Sequence, residues 1–249
     1  MTHLDGIITG IINFALFGLV LAIRKHFHKE GVKSFLIHAD RKGWLLFFEG
    51  SVAGVLLIVL YALITIVSGN GVIYYNTQNV LPMFGLLFAL GFGFLGVSFF
   101  EESLFRGYIM LKLLKRFNAF IAIGVPAAVF GLIHYGGYSG SPFVWVGITN
   151  AFLIAVVLSL LVLQTGSLMF PLGYHLFWNL SQSLLTRGPS VVLLELNEGL
   201  WAGSRHTIEA GLATSIAVIF LLFYTLLRFG KGSHGRSLWL FLGKPWKNR

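Results

Sequence analysis

Long apolar runs are the feature that most constrains this chain. A helix needs about 20 apolar residues to cross the roughly 30 Å hydrocarbon core of a bilayer. Residues 80–117 are apolar but too long for one crossing, so we predict a span at 80–96 that bends or breaks at its glycines into a helix at 97–117, followed by a helix at 118–134. Other runs of suitable length occupy residues 4–23, 45–68, 143–163, 167–185 and 209–229.

These runs predict an all-α fold, a polytopic membrane helical bundle of about seven to eight transmembrane helices. Only 11% of the residues are charged and 56% are apolar, whereas a soluble domain carries roughly 25% charged residues. We therefore expect residues 1–249 to form a single integral-membrane domain. The sequence contains no cysteine, which excludes disulfides, thiolate zinc sites and a cysteine nucleophile.

The basic residues are unevenly distributed and predict an orientation. They concentrate between the first two runs, just before residue 118 and after residue 228, whereas residues 69–79 and 135–141 carry no charge. Because short cytoplasmic loops collect Lys and Arg, the N-terminus is predicted outside and the C-terminus in the cytoplasm. The net charge of +9 is then explained by the orientation of the chain in the membrane and by attraction to anionic lipids, and not by binding to nucleic acid. We expect a prokaryotic cell membrane.

Two further expectations concern the ends of the apolar runs. The first run is interpreted as an uncleaved span, because its basic residues follow the run and do not precede it. Residues 26–44 and 237–246 are predicted to lie on the inner membrane surface, since aromatic and basic residues alternate there as they do in interfacial anchors.

A few ionisable residues fall inside the apolar runs. A charged side chain there costs at least about 2.5–3.5 kcal/mol on insertion scales, so its presence needs a reason. Glu49 lies about one turn inside its run, can reach the interface, and is interpreted as structural. The others are Glu101, Glu102, Arg106, His134 and His175.

In the first group, Glu101, Glu102 and Arg106, the two adjacent carboxylates point in different directions. Glu102 and Arg106 are four residues apart and share a helical face, so Arg106 is predicted to neutralise Glu102. Glu101 points about 100° away from Glu102. It is left without a partner on its own helix, which suits a general base.

Helix counting brings a histidine to the same depth as Glu101. If 97–117 and 118–134 pair antiparallel, Glu101 and His134 each lie about 16 residues from the turn between them. We predict that the carboxylate and the imidazole polarise one water molecule, with Phe130 excluding solvent. His175 and Asn179 share a face of the next helix, and both can donate hydrogen bonds to an oxyanion.

Together these motifs resemble a known family. The order Glu-Glu-x-x-x-Arg, Phe-x-x-x-His and His-x-x-x-Asn resembles the CPBP (CAAX protease and bacteriocin-processing, Abi) family, which includes type II CAAX prenyl endopeptidases. The resemblance covers about residues 80–185, a motif-bearing catalytic core. The motif residues are Glu101, Glu102, Arg106, Phe130, His134, His175 and Asn179.

The resemblance implies an intramembrane endopeptidase without a covalent intermediate. By it, Glu101 activates water with help from His134, and His175 and Asn179 stabilise the oxyanion. Glu102, Arg106 and Phe130 take supporting roles. The implied substrate is a hydrophobic or lipid-modified peptide or a membrane-protein segment.

Alternatives remain open from the sequence. We favour a metal-free mechanism, because the chain lacks a His-Glu-x-x-His pair on one helix and Arg106 would compete with a cation. A zinc-dependent version would use Glu101, His134 and His175. Outside the protease class, the same residues would suit a non-catalytic membrane immunity or scaffold protein, or a proton-coupled transporter with a Glu and His relay.

Overall fold

The structure is a computed structural model that describes residues 3–75, 81–186, 190, 192–204 and 206–231. The predicted surface segment at 237–246 lies outside these residues. The helices in chain order are α1 (His3–His28), α2 (Arg41–Val67), α3 (Leu81–Glu102), α4 (Leu111–Leu114), α5 (Ala119–Ile133), α6 (Tyr135–Tyr138), α7 (Val144–Thr165), α8 (Met169–Thr186) and α9 (Leu212–Lys231). A π-helix, Ser103–Met110, joins α3 to α4, and short 3-10 helices occupy Val32–Phe35 and Ile208–Ala210.

The helices confirm the predicted all-α membrane bundle. Within the described residues, four helical segments are long and apolar enough to cross a membrane: His3–His28, Arg41–Val67, Phe84–Leu114 and Val144–Thr165. Ala119–Ile133 and Leu212–Arg228 are apolar but shorter, and α8 is diluted by polar side chains. The number of spans, predicted as about seven to eight, stays a prediction.

The predicted break near residue 96 is wrong, because α3 is continuous there and its glycines Gly93 and Gly96 serve packing. A Cβ on Gly93 would lie 2.7 Å from the carbonyl oxygen of Gly6, and one on Gly96 would lie 2.9 Å from that of Gly10. These glycines let α1 and α3 cross with their backbones nearly touching, which is how small residues act between membrane helices. The helix continues to Glu102, where its pitch changes.

A second close crossing sets the position of α8. A Cβ on Gly173 would lie 2.0 Å from the carbonyl oxygen of Phe47, and a Cβ on Gly50 would lie 2.1 Å from that of Phe170. The backbones of α2 and α8 are thus in direct contact. At the same level of α2, Glu49 accepts hydrogen bonds from Tyr224 and Arg228 of α9.

Two turns align the helices that carry the sequence motifs. The side chain of Asn118 accepts a hydrogen bond from the backbone N–H of Ile121 at 3.0 Å and caps α5, which ends at His134. This agrees with the helix predicted at 118–134. Gly166 has a positive φ of 66° and ends α7 just before α8 begins.

A small sheet joins two loops and was not predicted. Strand β1 (Gly71–Tyr75) pairs antiparallel with β2 (Val192–Leu196). The pairing connects the loop after α2 to the segment after α8. Farther along that segment, the Tyr61 hydroxyl of α2 donates a 2.6 Å hydrogen bond to the carbonyl oxygen of Ala202. Ala202 and its neighbours in the segment after β2 are thereby held against the helical bundle.

Candidate active site

Side chains from the ends of α3 and α5 and from the middle of α8 meet at one cavity. Its volume is about 290 Å³. Every motif residue singled out in the sequence lines it: Glu101, Glu102, Arg106, Phe130, His134, His175 and Asn179. The structure therefore brings together residues that are up to 78 positions apart in the chain, counting from Glu101 to Asn179.

Glu102 lies at the buried centre of this group. Its side chain has no exposed surface, and its Oε1 accepts a hydrogen bond from Arg106 Nη1 at 3.2 Å and another from His175 Nδ1 at 2.9 Å. The Arg106 pair is the one predicted from the four-residue spacing. The His175 contact was not predicted, because it depends on the relative depth of two helices that are not adjacent in the chain.

The π-helix Ser103–Met110 positions Arg106 next to Glu102. The Arg106 guanidinium lies over the ring of Phe130, 4.7 Å from its centroid, and Phe105 meets the same ring edge-on at 5.2 Å. One residue beyond Arg106, the Gly107 carbonyl accepts a hydrogen bond from Arg24, which is itself buried. Single turns of π-helix occur often at functional sites, where they redirect side chains.

Glu101 has different surroundings from its neighbour. Its side chain is 19% exposed, and His175 Nε2 lies 3.8 Å from its Oε2, too far for a hydrogen bond. Oε2 is buried without a hydrogen-bond partner. His175 therefore stands between two carboxylates, donating through Nδ1 to Glu102 and facing Glu101 with Nε2.

His134 is held by its own helix. Its Nδ1 lies 2.7 Å from the carbonyl oxygen of Phe130, so Nδ1 carries the proton and donates. Whenever the ring carries only this proton, its Nε2 is an acceptor. Aromatic rings of Phe130 and Tyr138 pack on either side, with centroids 4.5 and 6.1 Å from the imidazole. These contacts set the orientation of the ring at the cavity wall.

His175 and Asn179 follow each other along one face of α8. Because His175 Nδ1 donates to Glu102, its Nε2 can donate to a developing oxyanion only when the ring carries both protons. The carboxamide of Asn179 lines the cavity one turn farther along. A carboxylate, an acceptor imidazole and two amide or imidazole donors around one cavity form a set suited to general acid and base chemistry.

The fit of a metal ion was tested on the donor atoms. Within the described ranges, no group of three or more His, Cys, Asp or Glu side chains is arranged to hold a metal ion. Oε1 of Glu102 already accepts two hydrogen bonds, one of them from a guanidinium. The three ligands of the zinc alternative, Glu101, His134 and His175, do not form a ligand set in this arrangement.

The cavity also contains polar residues that the sequence reasoning missed. The main ones are Asn150, Trp178, Gln182 and Glu209. Gln182 was detectable, since it follows His175 by seven positions and continues the polar face of α8. Glu209 carried no such signal, because its position depends on how the segment after β2 folds back over the bundle.

A comparison with protein families identifies the motif-bearing region. Residues 83–181 match the family model described as Type II CAAX prenyl endopeptidase Rce1-like. The match spans α3 to α8, includes all three motifs and confirms the resemblance found in the sequence. It supports a hydrolase of the protease class, carried by an integral membrane protein. Neither the curated proteins nor the solved structures give a match to the chain.

Proposed function

On the premise of this family match, we propose that the protein is an intramembrane endopeptidase of the CAAX-protease type. Its substrate is a hydrophobic or lipid-modified peptide or a membrane-protein segment. The observation that carries the proposal is the partly exposed carboxylate of Glu101, which shares one cavity with His134, His175 and Asn179. The protein is placed in a prokaryotic cell membrane, with its N-terminus outside and its C-terminus in the cytoplasm.

In the proposed reaction, Glu101 takes a proton from water while the water oxygen bonds to the scissile carbonyl carbon. His134 Nε2 accepts a hydrogen bond from the other O–H of this water and so orients the nucleophile. The ring is held for this role because its Nδ1 donates to the Phe130 carbonyl. The mechanism uses no metal ion and forms no covalent bond between enzyme and substrate. General base catalysis of this kind contributes typically 10²–10⁴-fold to the rate.

The second half of the reaction uses α8. Asn179 and doubly protonated His175 donate hydrogen bonds to the oxyanion of the tetrahedral intermediate. When the C–N bond breaks, the proton held by Glu101 passes to the leaving amine, so the carboxylate is restored. Glu102 and Arg106 act as positioning residues, since their ion pair holds His175 Nδ1. Phe130 covers Arg106 and limits access of solvent.

The first test is the variant Glu101→Gln. Proteomics of cells carrying this variant is expected to show precursors that accumulate relative to wild type, and synthetic peptides spanning those sites give a direct assay. Removing the base should lower kcat by at least about 100-fold at unchanged expression. The matched control is Glu195→Gln, an exposed carboxylate on β2, which should cleave as wild type does.

Other outcomes would favour the other functions. A scaffold protein predicts that Glu101→Gln leaves the cellular function intact, and a transporter predicts proton or solute flux in vesicles without a hydrolysis product. Treating the purified enzyme with a chelator addresses the metal question. Activity that survives the chelator supports the metal-free reaction, whereas loss that zinc restores would replace it with the zinc-dependent version.

A further inference from the structure

A second polar cluster in the same cavity centres on Glu209. Its Oε2 accepts a hydrogen bond from Gln182 Nε2 at 3.3 Å, and its Oε1 accepts one from Trp178 Nε1 at 3.5 Å. Both bonds are long and therefore weak. Across the described parts of the chain, no Lys, Arg or His nitrogen lies within 4.0 Å of this carboxylate. Within the part of the chain that the structure describes, Glu209 thus has no charged partner.

Asn150 adds a second acceptor beside it. The residue is 2% exposed, and its Nδ2 donates to the carbonyl oxygens of Glu209 at 2.7 Å and Gly211 at 3.2 Å. These bonds fix the amide so that Oδ1 is an acceptor, and Oδ1 is buried without a hydrogen-bond partner. Because Asn150 and Glu209 both line the cavity, this part of its wall offers one acceptor without a partner and a carboxylate held only by two long hydrogen bonds.

The charges around the cavity favour a cation. Among the described residues, three carboxylates line it, those of Glu101, Glu102 and Glu209, together with one arginine and the imidazoles of His134, His175 and His206. That arginine, Arg106, is already paired with Glu102. An ammonium or guanidinium group supplies several N–H donors together with a positive charge, which matches the acceptors at Glu209 and Asn150.

The distance along α8 relates this cluster to the proposed reaction. Gln182, which contacts Glu209, follows His175 by seven positions on the same helical face, or about 10 Å at 1.5 Å per residue. An extended peptide advances about 3.3 Å per residue. A substrate with its scissile bond beside His175 therefore brings a side chain about three residues away to Glu209.

We propose that Glu209 and Asn150 form a specificity subsite for a basic side chain about three residues from the scissile bond. This inference rests on the proposed protease function. A lysine or arginine replaces the weak contacts of the partly buried Glu209 with a charged hydrogen bond. A neutral side chain of equal length leaves the carboxylate without that partner, so it is selected against.

The experiment measures binding, so it does not depend on turnover. Short S-farnesylated peptides with an acetylated N-terminus carry one lysine at successive positions, and matched peptides carry norleucine there. Their Kd values are measured with the Glu101→Gln protein in nanodiscs. We expect the lysine peptide to bind about tenfold more tightly than the norleucine peptide, with the preference greatest about three positions from the scissile bond. A non-acetylated norleucine peptide tests whether a free α-amino group can take the place of the lysine side chain.

Variants of Glu209 then assign the preference. In the Glu101→Gln protein, the further change Glu209→Gln should abolish the lysine preference, so that the lysine and norleucine peptides bind about equally. The Kd of the norleucine peptide should stay the same. Glu209→Lys should reverse the preference toward a glutamate peptide, a change that loss of folding cannot produce. Glu195→Gln is the matched control and should retain the preference.

Several results would overturn the subsite. These are equal binding of lysine and norleucine peptides, a lysine preference that survives Glu209→Gln, or failure of every peptide to bind. A different result bears on the reaction alone. If the peptides bind with the expected preference but the wild-type protein does not cleave them, the proposed protease function fails and the subsite stands.

Discussion

At the scale of single residues, two adjacent glutamates at the end of α3 have different energetic roles. Glu102 is completely buried and forms an ion pair with Arg106, which is 1% exposed. Removing one partner of a buried ion pair leaves an uncompensated charge and costs about 3–5 kcal/mol. We therefore expect Glu102→Gln to lower the thermal stability of the purified protein by that order.

Glu101→Gln provides the contrast. Its side chain is partly exposed and makes no ion-pair hydrogen bond, so we expect a stability within about 1 kcal/mol of wild type. Thermal unfolding in detergent micelles measures both variants side by side. If Glu102→Gln were as stable as Glu101→Gln, Glu102 would not be the residue that neutralises Arg106.

Glu30 lies in the loop after α1, and its pKa predicts that the stability of the protein depends on pH. Its pKa falls from 4.5 to about 2: burial acts to raise it, but hydrogen bonds from Lys115 and Arg24 and the charge of Lys112 outweigh that effect. Because the folded state lowers this pKa, the stability that Glu30 contributes is complete above about pH 4.5 and is lost as the pH falls toward 2.

The comparison of wild type with Glu30→Gln measures this contribution. At pH 7 the wild type should have the higher unfolding temperature, and the difference should shrink between pH 4.5 and pH 2. A difference that stayed constant over this range would show that titration of Glu30 does not contribute.

Contacts within one helix were predictable, whereas contacts between helices were less so. The pair of Glu102 and Arg106 follows from a four-residue spacing, and the structure contains it. The hydrogen bond from His175 to Glu102 depends on the relative depth of two helices. That depth is set by backbone contact between α2 and α8, which has no counterpart in local spacing.

At the scale of elements, the close crossing of α2 and α8 predicts that alanine is tolerated less well at a glycine of this crossing than at a glycine outside it. A Cβ at Gly173 would lie 2.0 Å from a backbone oxygen, so α8 must move and carry His175 with it. We expect Gly173→Ala to lose about 1–3 kcal/mol of stability, the usual cost of overpacking, and to reduce cleavage.

The control for this crossing is Gly124→Ala in α5, where a Cβ would meet nothing within 4 Å. It should be neutral or slightly stabilising, because alanine is the better helix former. Thermal unfolding and cleavage assays on both variants check the prediction. Equal behaviour of the two would mean that the backbones of α2 and α8 are not in close contact.

Most helices were predicted from apolar runs to within a few residues, but two kinds of element were not. The glycines of α3 were interpreted as breaks, although they pack against α1, and a glycine pattern alone does not separate the two uses. The pairing of β1 with β2 joins segments about 120 positions apart in the chain, so no local pattern indicates it. The π-helix likewise depends on surrounding contacts such as Arg24 on Gly107.

At the scale of the whole molecule, the predicted orientation can be tested with unusual ease, because the chain has no native cysteine. Single cysteines at Lys42 and Ser139, both exposed, should report opposite sides of the membrane. An impermeant maleimide applied to intact cells should label Ser139→Cys and spare Lys42→Cys. Disrupted cells should label both, and the reverse pattern in intact cells would invert the orientation.

The single face of α8 has a consequence for how such a protein can diversify. His175 and Gln182 project from one rigid rod, so a tilt of that rod alters turnover and substrate preference together. Glu209 instead comes from the separate segment after β2, and its backbone carbonyl is held to the bundle by a hydrogen bond from Asn150. Changes confined to this segment offer a route by which a lineage, or a protein engineer, could choose new substrates while leaving the chemistry untouched.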